Sequence, residues 1–201
     1  IAFPTPDDKL EEVGWSDLLD EARTGQVAFP GGGLRMSLTP AMTLIDVDGH
    51  LPPGELAIAG ARAAAETIRR HGVGGSIGID LPTVVGKEPR QAAAGALDAI
   101  LPQPFERTAV NGFGFLQIVR PRTHASLFEL ATDSASFEAR ALLRRAAHEV
   151  GAIRLVAHPA VIAELNRYSG WLDQLSRHTG GLVTLRSDPS LAMSASHAER
   201  A

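Results

Sequence analysis

The 201-residue chain contains no cysteine. That excludes disulfides and thiolate metal sites and suits a cytoplasmic protein. It has no apolar run approaching the roughly 18 residues of a membrane span, and no basic segment leading into an apolar core, the mark of a secretory signal. Lysine is nearly absent, with only Lys9 and Lys87. Net charge is −4, so the chain as a whole does not attract nucleic acid; RNA or DNA would need a local basic patch. What is present is ordinary: 44% apolar and 21% charged residues, enough for a sizeable core. The first residue is Ile1 rather than Met, which reads as a trimmed or processed piece of a longer protein.

Hydrophobic spacing organises the chain. "WSDLLDEA" (15–22) has helical period. Val27–Phe29 and Leu34–Leu38 read as two strands around "PGGG" at 30–33, a hairpin turn. Met42–Val47 reads as a buried strand, alanine-rich Glu55–Arg70 as a helix ended by "HGVGG", and Ser76–Leu81 as the next strand. A second alanine-rich helix is expected over 90–101, then strands at 107–110 and 113–122. A polar break at 132–136 precedes a basic helix over 137–150. Beyond it come a strand in "IRLVAHP", short helices at 160–168 and 171–178, a strand in "GLVTLRSDP", and a frayed end from Ser194. The expectation is an α/β fold: a mixed sheet with a βαβ crossover, followed by a small α/β subdomain. The segments are an N-terminal helical stretch (1–25), a sheet domain (26–132) and a C-terminal domain (133–201).

The chemistry centres on "LIDVDGHLPP" (44–53). Strand–helix–strand connectivity makes the two strands parallel, so their ends share one edge of the sheet. Asp46 and Asp80 then lie at neighbouring strand ends, about 5 Å apart if the strands pair. For either acid alone, capping of a turn would suffice. Two close carboxylates repel each other unless a cation or a shared proton intervenes, and a divalent cation with oxygen ligands and waters is the simplest solution. "LIDVDGHL" is also similar to the first motif of haloacid-dehalogenase-type phosphatases, where the first Asp is the nucleophile. That motif has Thr where this chain has His50, and its later lysine and acidic-pair partners are missing.

Four segments in order resemble the ribonuclease E/G family: "FPGGGLRMSLTPAMTLIDVDG" (29–49), "IRRHGVGGSIGIDL" (68–81), "FERTAVNGFGFLQIVRPR" (105–122) and "RLVAHPAVIAELNRYSGWLDQLSRHTGGLVTLRSDPS" (154–190). The resemblance implies a DNase-I-like subdomain whose two aspartates, matched by Asp46 and Asp80, hold one Mg²⁺ for hydrolysis of single-stranded RNA. Arg120 and Arg122 match two arginines in position for phosphate or structural contacts.

The chain departs from the family at four points. Asp48 stands where an Asn is usual, so it becomes an extra ligand or a group beside the ligands. Thr83 replaces an acid, and Gly112 replaces an arginine. "ATDSAS" (131–136) has no cysteine for the family's intersubunit zinc, so any homodimer forms without zinc. The resemblance thus implies a Mg²⁺-dependent endoribonuclease, a hydrolase of RNA processing or decay in the cytoplasm. The alternatives are a non-catalytic RNA-binding relative and, third, the phosphatase. The basic helix around Arg140, Arg144 and Arg145 is a further candidate for RNA contact, with a solvated helix face as the alternative.

Overall fold

The structure is a computed structural model, and it describes residues 8–201. The start of the expected N-terminal helical stretch, residues 1–7, lies outside the described residues. The chain is mixed α/β and divides into two compact units. One is residues 16–131, and the other joins 132–201 with the segment up to Trp15.

The first unit is built on a six-stranded mixed sheet. Helix α1 (Trp15–Thr24) buries Leu19 and Ala22. Strands β1 (Gln26–Phe29) and β2 (Gly32–Leu38) form a hairpin, and β3 (Thr43–Gly49) pairs antiparallel with β2. The hairpin turn is only Pro30–Gly31, because Gly32 and Gly33 join the ladder opposite Phe29 and Ala28. Helix α2 (Pro53–Arg70) then crosses over to β4 (Gly75–Asp80), which pairs parallel with β3. A proline in its first turn suits the start of α2. One face of α2, through Leu56, Ala57, Ala61, Ala64, Ala65 and Ile68, is buried. Its small residues allow close approach to the sheet, where Gly60 sits against Val47.

Helix α3 (Lys87–Asp98) starts three residues earlier than its spacing suggests, because Pro89 is tolerated in a first helical turn. Strand β5 (Glu106–Arg107) has only two residues, and β6 (Phe115–Arg120) pairs antiparallel with both β5 and β4. The strand expected over 107–110 stops at once because the Thr108 hydroxyl accepts from the Gln117 amide at 3.1 Å, displacing the ladder. Sheet order is β1-β2-β3-β4-β6-β5. The core lies on one face, where Ile45, Ile68, Ile77, Ile79, Leu97, Leu116 and Ile118 are fully buried.

A short helix, α4 (Leu127–Ala131), closes over the end of α2. Phe128 stacks on the buried His71 ring at 4.4 Å, and the Leu127 amide donates to the His71 carbonyl at 3.0 Å. His71 Nδ1 faces the Thr67 carbonyl at 3.2 Å, and Nε2 lies 3.2 Å from Glu21 Oε2 without hydrogen-bond geometry. Glu21 is itself paired with Arg70 at 2.8 Å. Burial pulls the His71 pKa below the ordinary 6.5, against the opposing pull of Thr67 and Glu21. Folding therefore favours the neutral ring. This contribution should be fully present above pH 6.5 and lost as pH falls through the lower folded value. Urea midpoints compared at pH 7.5 and 5 should show the loss, and His71→Phe should flatten that part of the profile.

The second unit is a three-stranded sheet packed with helices. Helix α5 (Ser134–Ala146) begins within the expected polar break, because Asp133 caps it by accepting from the Ser136 amide. Strand β7 (Gly151–Ala157) leads through α6 (Pro159–Arg167) and α7 (Ser169–Thr179) to β8 (Gly180–Ser187), parallel to β7. The expected frayed end is instead a strand, β9 (His197–Arg200), antiparallel to β7. It makes β7 the central strand, with Ile153, Leu155 and Val156 fully buried. Each ladder hydrogen bond contributes about 1 kcal/mol net, so deleting residues 197–201 should destabilise this unit by about 2 to 4 kcal/mol in chemical denaturation.

The basic helix is engaged within its own unit. Arg144 pairs with Asp8, Arg145 donates to the Ser196 carbonyl at 2.8 Å, and Arg140 lies over the Trp171 ring at 5.5 Å. Among the described residues, no helix is long and apolar enough to cross a membrane.

Candidate functional site

Strand alternation decides which side chains share a face. On β3, Thr43, Ile45 and Val47 are buried, while Asp46 and Asp48 are exposed. On β4, Ile77 and Ile79 are buried and Asp80 is exposed. Asp46 and Asp80 are register partners in the parallel ladder. Neighbouring strands lie about 4.8 Å apart and register partners point to the same face. Both carboxylates therefore stand on the face of the sheet away from α2. Asp48 is on that face too, two residues (about 7 Å) further along and opposite Gly33.

The register extends this pair into a row across four strands. Arg35 of β2 is opposite Asp46, and Phe115 of β6 is opposite Asp80. Arg35 is exposed and Phe115 half-buried. The Phe115 ring lies across Gly78, where an added Cβ would come within 2.5 Å of its Cζ and 3.0 Å of Leu44 Cδ2. One side of the acid pair is thus a guanidinium, and the other is an apolar surface. A cleft of about 270 Å³ adjoins the row, lined by Gly33, Arg35 and Asp48 among others.

Arg120 and Arg122 are not brought to this row. Strand β6 runs antiparallel to β4, so Arg120 pairs with Gly75 at the far end of β4, five residues or about 17 Å from Asp80. It also alternates in phase with the buried Leu116 and Ile118, which puts it on the opposite face. Arg122 pairs with Glu129 at 2.6 Å. Glu129 also accepts from the Ser126 amide and hydroxyl, and these two bonds with the Arg122 charge outweigh burial and lower its pKa. Arg122 serves the α4 end of the unit, and Arg120 stands opposite Gly75 with its Nε buried. Arg35, which motif reading passes over, is the guanidinium beside the acids.

Two loops continue from this row. Thr83, in the loop after β4, donates its hydroxyl to the Phe113 carbonyl at 2.9 Å, and the Leu81 amide donates to the Gly114 carbonyl at 3.2 Å. His50 is exposed, with its amide bonded to the Gly31 carbonyl.

Among the described residues, no group of three or more His, Cys, Asp or Glu side chains converges as a metal site. The donor set is two carboxylates on adjacent strands, exposed and open to water. That set fits Mg²⁺, which keeps several waters and takes one or two protein carboxylates, better than a cation needing a full protein cage. No family model matches the chain, and no curated protein matches it.

Proposed function

We propose that this chain is a Mg²⁺-dependent endoribonuclease of the ribonuclease E/G type, acting on single-stranded RNA in cytoplasmic RNA processing or decay. The observation that carries the reading is the parallel register of Asp46 and Asp80 on one exposed face. Two acids at this spacing repel each other, and a hard cation relieves that repulsion. When bound, Mg²⁺ would polarise a phosphodiester and make a bound water more acidic. Asp46 and Asp80 would hold the cation. Arg35, beside Asp46, is in position to hold a non-bridging phosphate oxygen. Phe115 gives the Asp80 side an apolar wall.

A second reading, a non-catalytic RNA-binding relative, is favoured by one observation: Asp48 shares the face with the acid pair. An ionised carboxylate there repels phosphate where a neutral amide would donate to it. Labelled single-stranded RNA incubated with and without Mg²⁺, beside a phosphate-monoester substrate, separates the readings. Mg²⁺-dependent internal cleavage supports the nuclease. RNA binding without cleavage supports the second reading, and monoester hydrolysis alone would overturn both.

A further inference from the structure

Two of the most exposed apolar side chains in the described residues are Val85 (98% exposed) and Phe113 (82%). Both lie on the loops that flank Asp80. Val85 is in the loop that follows it, and Phe113 is two residues before Phe115, its register partner. An exposed aromatic on a frayed loop would need no explanation, but this loop is held firmly. Asn111 Oδ1 accepts from the Phe113 and Phe115 amides at 2.9 and 3.0 Å, and the Asn111 amide donates to the Phe115 carbonyl at 3.0 Å. The Thr83 hydroxyl and Leu81 amide tie it to the loop after β4. The backbone is fixed while the ring has no packing role.

Cations stand beside it. An added Cβ at Gly112 would be 3.6 Å from Arg90 Nη1, so this guanidinium lies against the backbone just before Phe113. Its Nε donates to the Gly86 carbonyl at 2.8 Å, which anchors the arm and leaves its terminal nitrogens with donors to spare. Arg90 and Lys87 line one end of a cleft of about 600 Å³ between α3 and the 107–110 segment. At the other end Asp98 is paired with Arg107 at 2.6 Å, which holds the Asp98 carboxyl below its ordinary range and offsets its charge.

A fixed, exposed aromatic ring with a neighbouring guanidinium and amine is the arrangement that binds single-stranded nucleic acid without reading its sequence. We propose that Phe113 and Arg90, with Lys87, form a nucleotide subsite beside the acid pair: a base stacks on Phe113, and the adjoining phosphate is held by Arg90 and Lys87. The occupant is single-stranded RNA, so the proposal rests on the reading above for the identity of the ligand but not for the cleavage step.

The test is fluorescence anisotropy of a labelled oligouridine decamer, with chelator present, against the full chain. Phe113→Ala should raise Kd about tenfold, as expected for loss of one base stack. Phe113→Trp should restore binding, and the urea midpoint should stay unchanged in both. Arg90→Gln should reduce the dependence of log Kd on log salt by about 0.7. Wild-type binding with no Phe113→Ala effect would overturn the subsite and leave the nuclease reading standing. Binding lost in Phe113→Ala, without Mg²⁺-dependent cleavage by the wild type, would support the subsite and remove the nuclease reading. No RNA binding by the wild type, or a self-association that Phe113→Ala abolishes in sedimentation, would overturn the subsite.

Discussion

Asp80→Asn should reduce Mg²⁺-dependent RNA cleavage at least about a thousandfold, a loss of about 4 kcal/mol of transition-state stabilisation. Asp46→Asn should do the same, because in the proposed site each of these register partners would supply half of a two-carboxylate donor set. An amide offers the cation a neutral oxygen in place of a charged one. Neither change should lower the urea midpoint of the metal-free protein. Both acids are exposed, and removing one of two neighbouring like charges relieves repulsion. The internal control is Arg122→Gln, which alters the pair with Glu129 at the other end of the unit and should leave the cleavage rate near that of the wild type. Rates from initial cleavage of a labelled RNA across a Mg²⁺ series decide the matter. Undiminished cleavage by either aspartate variant would remove the metal assignment.

Gly114→Ala should cost about 3 kcal/mol in urea denaturation. Its φ of +97° is one that L side chains rarely adopt, and the added Cβ would lie 2.1 Å from the Leu81 carbonyl oxygen and 3.2 Å from that of Pro82. Relief requires separating the loops on either side of Asp80, whose link includes the Leu81–Gly114 hydrogen bond. RNA binding should weaken along with stability. Gly75→Ala is the comparison: φ there is +81°, but nothing lies within 4 Å of the added atom. Backbone conformation alone should make that variant cost about 1 kcal/mol. Equal losses in the two variants would show that the close approach to Leu81 carries no weight.

The crossover at the centre of the first unit was legible because each part is locally consistent. Ile45 and Val47 alternate with Asp46 and Asp48, α2 places small apolar residues at helical spacing, and glycines mark its end. Alternation alone brings Asp46 and Asp80 to one face once the strands are adjacent. The partner of Asp46 was not legible. Arg35 faces it only because the turn at 39–42 is closed by Thr39, whose amide and hydroxyl both donate to the Met42 carbonyl and whose hydroxyl accepts from the Met42 amide. A turn one residue longer would put Arg35 elsewhere. Arg120 shows a different obstacle. Its alternation with Leu116 and Ile118 was visible, but the insertion of β6 beside β4, antiparallel, is a property of sheet order. The strand at 197–200 is polar and only four residues long, so its extended form depends on β7 rather than on its own residues.

The shortness of β5 also bears on how the protein behaves at high concentration. A sheet edge offers unpaired amides and carbonyls to other chains, and long flat edges template aggregation. In the six-stranded sheet the two outermost strands are β1, with four residues, and β5, with two. Thr108 keeps one ladder bond, from its amide to the Gln117 carbonyl, but its hydroxyl takes the Gln117 amide in place of its own carbonyl, and β5 ends there. Thr108→Val would keep the β-branched shape and remove the side-chain acceptor that takes the Gln117 amide, leaving that amide to the Thr108 carbonyl. The edge could then lengthen along β6, and the protein would gain a seam along which copies can add strand to strand.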